Sequence, residues 1–161
     1  MFRYARPAAL IAVAAVAAVA APGASAAAPT LIRLVSITTS ESSVDLPPRK
    51  ASSGDRQLFT SRLVNAQAQF GKPKGAVVGS DRGTMRLTSA TSAHLQTVAK
   101  LPGGTITVSG PLRAAGNGAV SSAVVAGTGT FAGAHGTLTI LAPTGPKTAV
   151  NIYRLSYGPI A

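Results

Sequence analysis

Few side chains in this sequence could move a proton. Histidine occurs only at His94 and His135, the acids are Glu41, Asp45, Asp55 and Asp81, and there is no cysteine. Without thiols there is no disulfide framework, thiolate metal site or cysteine nucleophile. A catalytic zinc site takes about three protein ligands. Two imidazoles, with two of the acids in a Ser- and Pro-rich stretch, do not supply one, so no metal and no cofactor is expected. What remains is general acid–base chemistry. Asp81 lies in Gly79-Ser80-Asp81-Arg82-Gly83, where a carboxylate either serves a bulge or turn by accepting from nearby amides or handles protons. Asp55, between Gly54 and Arg56 at a strand start, has the same two readings. His94 alternates with Gln96 and Val98, so it faces either a cavity or solvent.

Other motifs carry no chemistry of their own. Gly127-Thr128-Gly129-Thr130-Phe131-Ala132-Gly133 superficially fits a dinucleotide fingerprint. That mechanism needs a helix N-terminus to receive phosphate, and Gly136-Thr137-Leu138-Thr139-Ile140 downstream reads as a strand. Gly71-Lys72-Pro73-Lys74-Gly75 lacks phosphate-loop spacing, and no Gly-x-Ser-x-Gly elbow occurs. Lys plus Arg number 15 against 4 acids, a formal net charge of +11. The cations are scattered, and the few aromatics form no stacking pattern, so specific nucleic-acid reading is not expected. Weak attraction to anionic cell-surface polymers suits an exported cationic chain better.

The elements that must position these residues are short strands. Hydrophobic residues reach 46% while aromatics are 4%, so the apolar content is mostly small Ala and Val. Arg3 and Arg6, the run from Pro7 to Ala21 and the small residues Ala24-Ser25-Ala26 have the layout of a secretory signal cleaved after Ala26. A secreted, extracellular product without stable membrane insertion follows. The domains are then a signal peptide (1–26), an N-terminal strand with a mobile linker (27–54, the linker being Thr39 to Gly54), and the rest of a β-barrel (55–161). Strands are predicted at Leu31–Thr38, Arg56–Asn65, Gly75–Ser80 continuing through Thr84–Ser89, Ala93–Leu101, Thr105–Leu112, Val120–Ala126, Gly136–Ala142 and Thr148–Tyr157. Turn chemistry at Pro102-Gly103-Gly104, Gly116-Asn117-Gly118 and Pro143-Thr144-Gly145-Pro146 joins neighbours as hairpins. The fold class is all-β, an eight-stranded antiparallel up-and-down barrel, with an open sandwich as the alternative. In the last strand Asn151, Tyr153, Leu155 and Tyr157 share one side, which is either a ligand-facing wall or a partly buried tyrosine face.

Ala126-Gly127-Thr128-Gly129-Thr130-Phe131-Ala132-Gly133-Ala134-His135-Gly136 resembles the glycine-rich signature of dirigent proteins, matching at Gly127, Thr128, Gly129, Phe131, Ala134 and Gly136. Gly54 to Phe59 followed by Gly75 to Gly83 resembles early strands of the same superfamily, shared with allene oxide cyclases. Leu101 to Gly110 resembles the central hairpin of its bacterial secreted members. Together these span about Asp55 to Tyr157. The resemblance implies an eight-stranded antiparallel barrel with a hydrophobic cavity, often assembled as a homotrimer. Its members fix a flexible or radical substrate in one near-attack geometry, so that shape directs cyclisation or coupling. The chain departs from the family pattern in four places. Thr60 and Ser61 stand where dirigent proteins carry paired aspartates after a phenylalanine, His135 replaces the signature's arginine and Ala126 its first glycine, and the cyclase's catalytic glutamate has no counterpart, since Glu41 lies before the matched region.

The function expected is a secreted dirigent-like or allene oxide cyclase-like barrel that takes a small hydrophobic or phenolic ligand and steers its cyclisation or coupling. It would be a cofactor-free, isomerase-like activity. Asp55, Asp81 and His94 are the proton-handling candidates, Arg62 the contact for an oxyanion or carboxylate, and Asn151 with Tyr153 the orienting wall. The alternative is a non-enzymatic structural or ligand-carrying extracellular barrel.

Overall fold

A computed structural model describes residues 30–47, 50–141, 145 and 147–158. The expected signal peptide lies outside the described residues, as does most of the Pro143–Pro146 turn. The elements are β1 (Thr30–Val44), β2 (Arg56–Asn65), β3 (Val77–Leu87), β4 (Ala93–Leu101), β5 (Gly104–Pro111), the two-residue β6 (Arg113–Ala114), β7 (Val120–Gly127), a 3-10 turn at Gly129–Phe131, β8 (Ala134–Ile140) and β9 (Thr148–Tyr157). All pairings are antiparallel in the order β5-β4-β3-β2-β1-β9-β8-β7-β6, and β5 also pairs with β7. That last pairing closes eight long strands into a barrel. Closure removes the two edges an open meander of this length would expose.

Alternation along each strand divides inside from outside. Ile32, Leu34, Leu63, Val78, Leu101, Ile106, Val108, Leu138 and Leu155 are buried and fill the half of the barrel at the β2–β3 and β4–β5 turns. Each such side chain stabilises the fold by ~1.5–3 kcal/mol relative to exposure. Phe131, 5% exposed, joins this cluster from the 3-10 turn. The glycine-rich signature therefore has a structural task. The Thr128 amide donates to the Thr105 carbonyl at 2.9 Å, and the Thr130 amide to the Gly103 carbonyl at 2.9 Å. A Cβ at Gly104 would stand 1.9 Å from the Thr128 carbonyl oxygen, and one at Gly129 (φ +61°) 1.9 Å from that of Gly103. Only glycine lets these two backbones meet, and their contact seats Phe131 as a plug in the base.

Two segments differ from the sequence expectation. Strand β1 runs six residues into the predicted linker, because Ser40–Val44 pairs with Arg56–Thr60 across an irregularity between Thr38 and Ser40. A polar Ser-rich run carries no local strand signal and takes its conformation from the partner. Strand β3 is continuous through Asp81, which stands opposite Ser61 on β2 and Ala99 on β4, so no turn occurs there; the irregularity of this strand is a register shift between Val77 and Gly79, opposite Leu63 and Val64. Its glycines serve close packing instead. A Cβ at Gly79 would lie 2.0 Å from the Lys100 carbonyl oxygen, and one at Gly83 would lie 2.7 Å from the tip of the Phe59 ring.

Candidate functional site

At the end opposite the Phe131 plug the barrel is open. A cavity of about 410 Å³ is lined by side chains from every part of the rim. Thr38 comes from β1, Phe59 and Gln57 from β2, Met85 from β3, Leu95 from β4, Leu112 from just past β5, Val120 from β7, Ile140 from β8 and Ala149 from β9. The walls are mostly apolar, and the polar lining residues are Thr38, Glu41, Gln57, Lys147 and Thr148. Gln57 Nε2 donates to Glu41 Oε1 at 2.5 Å. Phe59 stands directly opposite Gly83, and its ring covers that bare backbone.

Between this mouth and the apolar base lies a belt of buried polar residues. Ser36, Ser61, Asp81, Thr97, Ser122 and Asn151 are each between 2% and 8% exposed, on six different strands. Tyr153 is fully buried beside them. Thr97 Oγ1 donates to the Arg82 carbonyl at 3.2 Å, but Asp81 Oδ1, Ser122 Oγ and Tyr153 Oη have no hydrogen-bond partner. An unmatched buried polar atom costs ~1–3 kcal/mol, and native interiors seldom keep several together unless water, a ligand or a reaction uses them. Burial raises the Asp81 pKa above the ordinary carboxylate value, an effect only partly opposed by Ser61 and Ser36. Burial, reinforced by the nearby Asp81 charge, also raises that of Tyr153. The interior therefore holds a carboxyl that resists ionisation and a phenol that keeps its proton.

The candidates from sequence fall into two groups. Asp81, Asn151 and Tyr153 face the interior. His94 and Arg62 are on the outer wall, because their neighbours Leu95 and Thr97, and Ser61 and Leu63, take the inward positions. Asp55 is in the loop before β2, where it accepts from the amides of Leu46 (2.9 Å) and Ser52 (2.8 Å). These amides lower its pKa, and it fastens the loop outside the mouth. Asp55, His94 and Arg62 thus do not meet Asp81. Sequence reasoning missed Glu41, which the extension of β1 carries to the rim, and also Phe59, Met85, Leu95 and Ile140 on the wall. The register Glu41↔Phe59 is the only signal for the first, and it exists only once β1 and β2 pair. Among the described residues no three His, Cys, Asp or Glu side chains gather into a metal-binding group.

No family model and no curated protein sequence matches the chain. Solved structures do. A pyocyanin demethylase superposes with a TM-score of 0.63 at 21% identity, covering 78% of this chain and 99% of that one. The pterocarpan synthase dirigent protein PsPTS1 gives 0.60 at 16% identity, covering 84% and 99%. AbnU, an exo-specific intermolecular Diels-Alderase, gives 0.62 at 13% identity, covering 80% and 96%. The fold is that of the dirigent and cyclase barrels. Proteins of three different activities share this fold, so the fold alone does not assign a chemistry.

Proposed function

We propose that this dirigent-like barrel is exported and holds a small apolar, ring-bearing molecule in its mouth, where it steers a cyclisation or coupling. The observation that carries this is the apolar mouth standing above a belt with three unpaired polar atoms. The mouth removes water from the molecule and limits its conformations, which lowers the entropic part of the barrier. Asp81, its pKa raised by burial, donates a proton to a developing oxyanion or a quinone methide, and Tyr153 orients the same oxygen. Asp81 stands across from Ser61, so the acid missing from β2 is supplied by the neighbouring strand. Glu41 and Lys147 at the rim select the polar end of the ligand. The activities of two neighbouring barrels, a cycloaddition and a pterocarpan synthesis, support a ring-forming reaction.

The test is occupancy of the mouth. A neutral fluorescent ring compound, N-phenyl-1-naphthylamine, should bind the purified protein, and Ile140→Trp should abolish that binding while leaving the thermal melt in place. Native mass spectrometry of protein taken from its producing cell should show a retained small molecule that the same substitution removes. Binding that is absent, or unchanged in Ile140→Trp, refutes the mouth as the ligand site. Export is tested separately by sequencing the N-terminus of protein recovered outside the cell, expected to begin at Ala27. Sedimentation tests the trimer that the family resemblance implies.

A further inference from the structure

The outer wall of β2, β3 and β4 carries an arrangement that the mouth does not use. Arg56 stands directly opposite Arg86, and Arg86 directly opposite His94. Strands lie ~4.8 Å apart, so the row spans about 10 Å. Like charges directly across a ladder destabilise it, yet the outward positions of these three strands hold no acid to relieve the two arginines. The four acids lie off these outward positions: Glu41 is at the mouth, Asp81 is 4% exposed with its carboxyl toward the interior, and Asp45 and Asp55 share with Arg56 the adjoining loop hollow.

The row lines a hollow of about 530 Å³, whose other walls are Thr84, Thr88 and Gln96. Further along the same face is a second hollow of about 360 Å³, with Arg82 and Lys100 among Thr60, Ser80, Val98 and Thr105; the buried Asp81 also borders it. Arg82 is four residues from Arg86 on one strand, about 13 Å away. Arg62 flanks this second hollow, opposite Ser80. The wall is thus a track of two cationic stations with hydroxyl and amide side chains, and the exposed Leu58 and Val98, between them.

We propose that this track binds an acidic polysaccharide. Guanidinium forks pair bidentately with carboxylate or sulfate, and Thr60, Ser80, Thr84, Thr88 and Gln96 match the sugar hydroxyls between charged groups. The outward positions of β2 to β4 present no Phe, Tyr or Trp ring, so bases of a single-stranded nucleic acid find no stacking platform beyond the one imidazole of His94. Two stations on one face fit a chain of repeating anions better than one small ion.

The test measures binding of heparin to the purified protein at low and moderate salt, with neutral dextran as control. Arg56→Gln with Arg86→Gln should weaken heparin binding at least tenfold. Arg113→Gln with Arg154→Gln, which removes the same charge away from this face, should change it less than threefold. If the first pair impairs folding, Arg82→Gln with Lys100→Gln provides the same comparison at the second station. Equal losses in both sets, or none, overturn the track as a site. Oligothymidine or phosphatidylglycerol vesicles binding more tightly than heparin, with the same sensitivity to Arg56 and Arg86, overturn the polysaccharide. Ligand retention in the mouth is read separately, so either conclusion can fail alone.

Discussion

Asp81→Asn should make the protein more stable at neutral pH while lowering any turnover. The carboxyl is 4% exposed, and its Oδ1 has no partner. Its pKa is raised, with burial the largest cause, so the folded state holds the proton more tightly than the unfolded chain does. The stability that the neutral carboxyl contributes is full below the unfolded value of ~3.9. It is lost as pH rises through the raised folded value, and above that the ionised group carries its whole desolvation cost. Asparagine keeps the shape and cannot ionise. Leaving a buried polar group unmatched costs ~1–3 kcal/mol, and more when charged, so the variant should gain about 1–3 kcal/mol at pH 7. For a domain of this size that raises Tm by roughly 4 °C per kcal/mol. Circular dichroism melts of both proteins from pH 3 to pH 8 provide the assay. The two Tm curves should meet at the acid end and separate as pH rises, with the variant above. A gap that does not change with pH, or a variant less stable at neutral pH, would refute the account of Asp81 as a desolvated acid. Loss of fold would instead make Asp81 a structural residue of β3.

Tyr153→Phe removes a buried hydroxyl that has no partner, so urea unfolding should show stability unchanged or raised by up to ~2 kcal/mol, with turnover reduced. Phe131→Ala takes the plug out of the base and should cost about 3–5 kcal/mol in the same assay. N-phenyl-1-naphthylamine should still bind the fraction that remains folded, since the mouth is at the other end. Asp55→Ala acts with the opposite pH sign to Asp81. Its pKa is lowered chiefly by the amides of Leu46 and Ser52, so its contribution is present above the unfolded carboxylate value and lost as pH falls through the folded one. Limited proteolysis should cut the 45–55 loop faster in the variant at neutral pH, and the two proteins should become alike in acid.

The strand plan was legible because alternation and turn residues are local signals. Arg56–Asn65, Ala93–Leu101 and Thr148–Tyr157 occur in the structure with the bounds expected. The grouping of Asn151, Tyr153 and Leu155 on one side was equally visible. Period two cannot say which side is inside, so the same logic left His94 between cavity and solvent. The glycines around Asp81 read as a bulge or a turn, since glycine's local meaning is freedom in φ. Here Gly79 and Gly83 leave room for the Lys100 carbonyl and the Phe59 ring, contacts with other strands that no window of sequence contains.

Composition and pattern by themselves determined an all-β chain without thiol chemistry, with hairpins from Arg56 onward and a glycine-rich segment of dirigent type. Closure of β5 onto β7 decided the rest. It turned one face of each strand into a shared interior and gathered a polar residue from each of six strands into a single belt. It also sent Arg62 and His94 to the outer wall and brought Glu41 to the rim. Burial is a property of the closed barrel, so the raised pKa of Asp81 and the unpaired hydroxyl of Tyr153 exist only once all eight strands surround them.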